Sequence, residues 1–361
     1  MRLRRLRLRN HRNYAELDLA PGPGVNIFIG ANGQGKTNLL EAVAMLALSS
    51  SPRARREFEL VGPLTPASRI EAEVESAGRK VELAITLNVE GERAKRTIEV
   101  DGVRRRAFDL PGHFRVTLFW PDDLGLVKAG PELRRRFLNQ MLVQVEPGYA
   151  RALAGLRRVL DQRNSLLKKM AAGEGANDVL EAWNQELVVI GTEVASARAR
   201  AVLELGPEAA RCHAEIGAGE RLEIRYEGPP QDLAEAVHNS LAEDLRRGST
   251  SVGPHRDDVR VLLDGQDARS YGSQGQQRTA VVSMKLAEAA LMARRTGEPP
   301  VLLLDDVLSE LDGERRAALL KEVAGDGQVI ITSVEVGPFP SELISRAMVW
   351  TVDGGRIEPC G

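Results

Sequence analysis

The stretch Val25-Asn26-Ile27-Phe28-Ile29-Gly30-Ala31-Asn32-Gly33-Gln34-Gly35-Lys36-Thr37 decides the fold. Its first five residues form an apolar run bounded by glycines, which predicts a buried strand. The residues that follow match G-x-x-x-x-G-K-[ST], a pattern whose glycines let backbone N–H groups surround a phosphate at the start of the next helix. The stretch therefore predicts a strand, a phosphate-binding loop (P-loop) and a helix, which is the beginning of an α/β fold.

This P-loop is the candidate ATP site. We expect Lys36 to act in catalysis by reaching the β- and γ-phosphate oxygens, and the Thr37 hydroxyl to ligate Mg²⁺. The strand before the loop and the helical sequence after it argue against a chance match. The candidate ATP-binding residues of the loop are Gly30, Ala31, Asn32, Gly33, Gln34, Gly35, Lys36 and Thr37.

A P-loop predicts a second apolar strand that ends in an acidic residue, and Val301-Leu302-Leu303-Leu304-Asp305-Asp306 has that form. We expect Asp305 to hold the metal ion. We expect the Asp306 carboxylate to act in catalysis by polarising the attacking water. A buried strand whose two acids cap the following helix would give the same sequence. The P-loop upstream favours the metal-site interpretation.

The length and composition indicate a globular protein that is too large for a single hydrophobic core. The chain has 361 residues, so we expect two domains or one domain with an insertion. Its 49 Lys+Arg and 51 Asp+Glu nearly balance, so a site for a polyanion must be a local patch. Two distant cysteines exclude a disulfide framework and a zinc cluster. Neither a signal sequence nor an apolar segment approaching ~18 residues is found, and we expect a cytoplasmic protein with no membrane contact.

The middle of the chain changes to a helical period. Apolar residues at a/d spacing predict two antiparallel helices of about 25 residues each, an arm of only ~35 to 40 Å. Any helical subdomain could show this period. Strands are predicted on both sides, at residues 3–9, 25–29, 70–74, 81–89, 96–103, 301–304 and 329–332. We therefore predict a discontinuous α/β head (residues 1–130 and 245–361) with an inserted helical arm (131–244). The a/d residues are Leu153, Leu156, Leu160, Leu167, Leu180, Trp183, Leu187, Ile190, Val194, Ala197 and Ala201.

A third segment, Ser273-Gln274-Gly275-Gln276, precedes a helical stretch and resembles the signature motif of the ABC ATPases, commonly Leu-Ser-Gly-Gly-Gln. By itself such a polar segment is more often a plain loop. The resemblance implies that Ser273, Gly275 and Gln276 contact the γ-phosphate of ATP bound to a second subunit. It also implies an ATP-dependent homodimer. Leu308-Ser309-Glu310-Leu311-Asp312 is similar to the D-loop of that superfamily, with Asp312 at the dimer seam.

The interval from Lys36 to Ser273 is 273 − 36 = 237 residues long and contains the helical pair. The length of this insertion distinguishes the subfamilies of the ABC ATPases. A P-loop head with so short an arm resembles the RecF family of bacterial recombination-mediator ATPases, which have ABC/SMC-type heads. The opening Leu6-Arg7-Leu8-Arg9-Asn10-His11-Arg12-Asn13-Tyr14 is similar to its L-x-L-x-N-F-R-N-Y, with His11 in place of Phe. Ser251-Val252-Gly253-Pro254-His255-Arg256-Asp257-Asp258 is similar to the block that marks its return to the head.

This resemblance implies ATP and Mg²⁺ as cofactors, and DNA as a partner at gaps or junctions of single- and double-stranded DNA. It further implies RecO and RecR as protein partners, and RecA loading in repair and replication as the outcome. Arg12 would face the nucleotide, as the matching arginine does in SMC-like heads, or else DNA.

Three departures from the superfamily pattern limit which residue roles the resemblance implies for this chain. Asp306 stands where most heads have Glu, which predicts slow hydrolysis. No switch histidine follows the predicted strand at residues 329–332, and no glutamine follows Phe119, so Asp122 is the substitute that we assign as a weak metal ligand.

Short arginine runs are the candidate DNA contacts, with a solvated face as the alternative for each. The few aromatics do not alternate with basic residues, which favours contact with the DNA backbone over base stacking. Alternative functions are an SMC-like DNA tether, a transporter ATP-binding subunit and a nucleotide kinase. The runs lie at residues 2–12, 53–56, 104–106 and 134–136.

Overall fold

The computed structural model describes residues 1–174, 177–216, 219–311, 313–323, 325, 327–337 and 339–360. Its strands are β1 (Arg2–His11), β2 (Tyr14–Leu19), β3 (Val25–Ile29), β4 (Ala67–Ser76), β5 (Arg79–Glu90), β6 (Arg93–Val100), β7 (Val103–Arg105), β8 (Val116–Phe119), β9 (Leu222–Glu227), β10 (Asp258–Leu263), β11 (Gln266–Asp267), β12 (Val301–Asp305), β13 (Val329–Ser333), β14 (Met348–Asp353) and β15 (Arg356–Pro359). Its α-helices are α1 (Lys36–Leu48), α2 (Gly125–Lys128), α3 (Pro131–Val145), α4 (Tyr149–Ala171), α5 (Asn177–Glu215), α6 (Leu233–Asn239), α7 (Leu241–Arg247), α8 (Ala268–Tyr271), α9 (Gln274–Thr296), α10 (Gly313–Val323) and α11 (Ser341–Ile344).

The sheet that carries the P-loop has the strand order β15-β14-β3-β13-β12-β8. All neighbouring strands from β14 to β8 are parallel, and β15 is antiparallel at one edge. Leu303 belongs to the core on one face of the sheet, whereas Leu302 and Leu304 belong to the core on the other. The predicted apolar runs are thus strands covered on both faces, as expected for a parallel sheet.

A second, antiparallel sheet has the order β2-β1-β4-β5-β6-β7. In β1 the leucines Leu6 and Leu8 are fully buried, and the arginines that alternate with them face solvent. Leu3 is also buried although it is out of phase, because the pairing of β1 with β4 shifts between Leu3 and Arg5. The apolar residues of α1 share one core with both sheets, so α1 is buried between them.

One predicted strand is wrong in extent. Residues 96–103 were expected to form a single strand, but β6 ends at Val100 and β7 begins at Val103. Asp101 and Gly102 have φ values of 50° and 74°, which form a tight turn between two antiparallel strands. The sequence signal was the Asp-Gly pair, a common hairpin turn.

The predicted helix pair is α4 and α5, which pack against one another. The a/d residues are buried or partly buried between these helices and their neighbours, which confirms the seam. The expected length of about 25 residues holds for α4, with 23 residues, but not for α5, which has 39 residues and contains Pro207. The helix α5 continues past Ala201 because Leu205 and Ala209 pack in the same core as α9.

The apolar core does not separate at the predicted boundaries of the arm. One cluster joins residues of α3, α4 and α5 with the sheet β9–β11 and with α9, including Met284 and Leu291. The division at residues 131 and 244 therefore stays a prediction about domains. No helix within the described ranges is both long and apolar enough to cross a membrane.

Buried ion pairs fix α4 to α7 and α5 to the segment before β10. Arg163 of α4 donates to Asp244 at 2.8 Å, and both side chains are fully buried. Arg198 of α5 donates to Asp257 at 3.1 Å and to the Pro254 carbonyl oxygen at 2.6 Å. The arginine that pairs with Asp257 thus lies 59 residues away in the sequence.

In the arginine run at residues 134–136, Arg134 is buried and Arg136 is exposed. Arg134 forms a two-point contact with Asp258 at 2.6 and 2.9 Å. Arg135 donates to the Asp257 carbonyl oxygen at 2.5 Å, and Arg136 donates to the Pro52 carbonyl oxygen. Each arginine of this run therefore already has a hydrogen-bond partner within the chain.

His11 of β1 is fully buried. Its Nδ1 lies 3.4 Å from the Ser68 hydroxyl, and its Nε2 has no hydrogen-bond partner in the described part of the chain. Burial lowers the pKa of His11 to about 4, and the attraction of Glu41 offsets only part of that effect. The imidazole is therefore neutral at pH 7 in the folded protein.

Replacing Arg163 by Leu should destabilise the protein by about 3 to 5 kcal/mol, because it leaves the Asp244 carboxylate buried without its partner. The free energy of unfolding in urea measures this. Arg158→Ala is the matched control: the Arg158 side chain is 65% exposed beside Glu186, so its loss should cost less than about 1 kcal/mol. Equal losses in the two variants would contradict the account of the buried pair.

His11→Phe should make the protein less sensitive to acid. The unfolded chain binds the His11 proton near pH 6.5 and the folded chain near pH 4, so the native state loses stability as pH falls through this window. The substitution should remove about 2.5 kcal/mol of that loss by pH 4.5. Unfolding free energies at pH 7 and pH 4.5 measure it, and an unchanged difference between the two pH values would show that His11 is not the group responsible.

Candidate nucleotide-binding site

The loop between β3 and α1 has the backbone that a phosphate cradle needs. Gly33 and Gly35 have φ values of 83° and 117°, which L-residues rarely adopt. A Cβ on Gly35 would also lie 2.6 Å from the side chain of Asn13, and Asn13 Nδ2 donates to the Gln34 carbonyl oxygen at 2.9 Å. The sequence prediction of strand, loop and helix is confirmed here.

Lys36 folds back over this loop. Its Nζ donates to the carbonyl oxygens of Gly30 and Ala31 at 2.5 and 2.9 Å. Burial lowers the pKa of Lys36, and the charges of Asp306 and Asp305 act in the opposite direction. The ammonium group thus donates to neutral carbonyl oxygens, and phosphate oxygens would give it a better partner.

Asp305 lies beside the P-loop at the carboxyl edge of the sheet. Its Oδ1 accepts hydrogen bonds from the hydroxyls of Thr37 at 3.0 Å and Thr332 at 2.8 Å. The residue is 3% exposed, and burial raises its pKa, although the two hydroxyls and the charge of Arg53 oppose this. Adjacent hydroxyl and carboxylate oxygens are donors that Mg²⁺ prefers, so the pair Thr37 and Asp305 fits this ion.

Asp306 has a left-handed backbone, with φ 51° and ψ 19°. Its N–H donates to the Thr332 carbonyl oxygen at 3.2 Å and to the Thr332 hydroxyl at 3.1 Å. Thr332 therefore holds the side chain of one acid and the backbone of the next. The strained backbone at Asp306 is a feature often seen at functional positions.

Arg12 lies near the site but is engaged by another residue. Its Nε and Nη2 donate to the carboxylate of Glu41 at 2.9 and 3.0 Å, and its Nη1 donates to the Glu59 carbonyl oxygen at 2.8 Å. Glu41, on α1, is fully buried, and the hydrogen bond from Arg12 helps to keep its pKa low despite burial. The structure places Arg12 in the wall of the cleft beside the P-loop.

That cleft has a volume of about 890 Å³ and includes Thr37 and Asp305 in its lining. Asp122 lies in the same wall and is exposed, so the structure brings it to the cleft that holds the metal candidates. The guanidinium carbon of Arg53 lies 5.8 Å from the centre of the Trp120 ring. These side chains surround the space in front of the P-loop with both charges and one large aromatic.

The signature-like segment forms the N-terminus of α9. Ser273 is the N-cap and is exposed, and its hydroxyl accepts from the Gln276 N–H at 3.3 Å. The Gln276 side chain accepts from the Ser273 N–H at 2.7 Å and donates to Glu220. Gln276 is therefore used within its own chain, while the Ser273 hydroxyl is presented to solvent. Asp312 lies outside the described residues.

Sequence reasoning missed Thr332 and Glu41. The signal for Thr332 was its place at the end of the apolar run that pairs with the Asp305 strand. Glu41 was one acid among the apolar residues of α1, and an acid in such a buried helix requires a cationic partner.

Comparison with known proteins gives consistent relatives. Residues 2–342 match the family model described as the RecF/RecN/SMC N-terminal domain. The chain is 38% identical to the DNA replication and repair protein RecF of Heliobacterium modesticaldum, over 99% of each chain. A solved structure of the recombination mediator RecF with ATP, from the RecFOR pathway, superposes with a TM-score of 0.90 at 32% identity, covering 99% of this chain and 97% of the other. An SMC head bound to the winged-helix domain of ScpA shares the fold, with a TM-score of 0.57 at 14% identity, covering 100% of this chain and 97% of the other.

Thr332→Val should weaken Mg²⁺-dependent ATP binding about tenfold or more, because the hydroxyl that fixes Asp305 and Asp306 is lost while the shape of the strand residue is kept. Binding measured in EDTA should change much less. Thr332→Ser, which keeps the hydroxyl, is the matched control and should bind like the parent protein. Equal loss with and without Mg²⁺, or no loss at all, would show that Thr332 does not position these acids.

Proposed function

The chain belongs to the RecF family, and from this we propose that it is an ATP-dependent DNA clamp of replication and repair. In this proposal ATP joins two copies of the head around DNA, and slow hydrolysis releases them. The observation that carries it is the exposed Ser273 at the N-terminus of α9, combined with a complete P-loop and acid pair elsewhere in the same chain. Each subunit would supply one half of two composite sites, and two copies would complete both.

Within one subunit the proposed roles follow from position. Backbone N–H groups of the P-loop and the Lys36 ammonium would bind the phosphates, and Thr37 and Asp305 would hold Mg²⁺. When bound, Mg²⁺ neutralises charge on the phosphate oxygens. Arg12 would contact the nucleotide only by exchanging its contacts with Glu41, so we assign it to the wall of the site. Asp122 would act at most through water.

Hydrolysis is proposed to be slow because of Asp306. Its carboxylate is one methylene shorter than the glutamate that most related heads carry, so it would orient the attacking water less well. Slow hydrolysis suits a clamp, because the closed dimer then lasts long enough to act on DNA. Ser273 and Gly275 of the second subunit would complete the γ-phosphate site, and Asp312 would lie at the seam.

The partners are proposed from the relatives. A pathway called RecFOR names RecF together with RecO and RecR, so we propose RecO and RecR as partners and RecA loading at gapped or junction DNA as the outcome.

Among the four arginine runs, residues 104–106 have all three side chains exposed and form no ion pair with a described carboxylate. They are the best candidates in these runs for DNA phosphates. The head (1–130 and 245–361) would carry ATP, and the arm (131–244) would border the DNA.

The SMC-like tether is the alternative that the shared fold favours. A tether would bridge DNA without ATP, whereas the clamp requires ATP for association. No observation favours the transporter subunit or the nucleotide kinase.

Ser273→Arg should leave ATP binding intact and abolish ATP-dependent association, because a long cation would occupy the position of the γ-phosphate contact of the second subunit. Lys36→Met should abolish ATP binding and therefore association. Sedimentation with Mg-ATP, with and without gapped DNA, measures mass, and nucleotide titration measures binding. A Ser273→Arg protein that dimerises normally with ATP would refute the composite site.

A further inference from the structure

The first turn of α10 contacts both the loop that follows the acid pair and the signature-like segment. Arg316 Nε donates to the Leu308 carbonyl oxygen at 3.1 Å, and its Nη2 donates to the Leu311 carbonyl oxygen at 2.9 Å. Both carbonyls belong to the segment directly after Asp306. This helix is therefore fixed to the loop that follows the acid pair.

The neighbouring Arg315 makes a different contact. Its Nε donates to the Thr279 hydroxyl at 2.5 Å, and that hydroxyl donates to the Gly275 carbonyl oxygen at 2.9 Å. Gly275 is the glycine of the signature-like segment. A Cβ placed on Gly275 would lie 3.5 Å from Arg315 Nη2, so the guanidinium also lies close to the glycine itself.

The direction of this chain of hydrogen bonds is fixed by chemistry. A guanidinium can only donate and a carbonyl oxygen can only accept, so the Thr279 hydroxyl must accept from Arg315 and donate to Gly275. Thr279 is 1% exposed, so water does not compete for its hydroxyl. The Arg315 guanidinium is thereby linked, through one buried hydroxyl, to the first turn of α9, to which Gly275 belongs.

We infer that Arg315 and Thr279 are positioning residues that couple the acid-pair loop to the signature segment. This rests on the proposed function, in which the signature segment of one subunit completes the ATP site of the other. Movement of the loop after Asp306 would shift α10 through Arg316 and the first turn of α9 through Arg315 and Thr279. The nucleotide state of one site would thus bias the signature contact at the second site, which is coupling between the two halves of the dimer.

The test measures the dissociation constant of the ATP-dependent dimer by sedimentation, beside the ATP affinity of the monomer. Thr279→Val should weaken dimerisation about tenfold with monomer ATP affinity unchanged, since one buried hydrogen-bond relay is lost. Thr279→Ser, which keeps the hydroxyl, should restore parental dimerisation. Arg315→Ala should give the same loss as Thr279→Val. Arg294→Ala, near the other end of α9 and 53% exposed, is the control for loss of charge and should dimerise normally.

The double variant decides whether the two residues act as one relay. If they do, Thr279→Val combined with Arg315→Ala should lose no more than either single variant. Additive losses would overturn the relay, as would single variants that dimerise like the parent. If Arg315→Ala fails to fold, the pair Thr279→Val and Thr279→Ser still decides the question. A parent protein that does not dimerise with ATP would instead refute the proposed function itself.

Discussion

The nucleotide site depends on the parallel pairing of β12, β13 and β3 in one register. That register sets Thr332 opposite Asp305 on one side and opposite Phe28, near the end of β3, on the other. The P-loop leaves β3 at the same edge, so Thr37 and Asp305 come within 3.0 Å although 268 residues separate them in the sequence. A slip of one residue in either pairing would turn Thr332 to the other face and separate the acids from the loop.

The arm is held by a different kind of interaction. Buried pairs tie α4 to Asp244 and α5 to Asp257, and the same apolar core continues from these helices into α9. Since Ser273 caps α9, the helices α4 and α5 and the signature segment are parts of one packed unit.

Much of this could be predicted from the sequence, because local patterns carry it. The P-loop, the strand that ends in Asp305 and the helix pair follow from short motifs and periodicity. The partners of buried charges could not be predicted, since Arg198 and Asp257 or Arg12 and Glu41 meet only through the tertiary fold. The role of Thr332 could not be predicted for a related reason, because it depends on the register of the strands. The length of α5 could not be predicted, because its buried face packs first against α4 and then against α9. The a/d pattern therefore ends before the helix does.

The composite site is the central claim, and mixing two defective proteins tests it most directly. Lys36→Met subunits keep an intact signature segment, and Ser273→Arg subunits keep an intact P-loop, so a mixed dimer contains one complete site. The account predicts that the mixture gains an ATP-dependent dimer in sedimentation that neither variant forms alone. A mixture that stays monomeric with Mg-ATP, under conditions in which the parent protein dimerises, would contradict it.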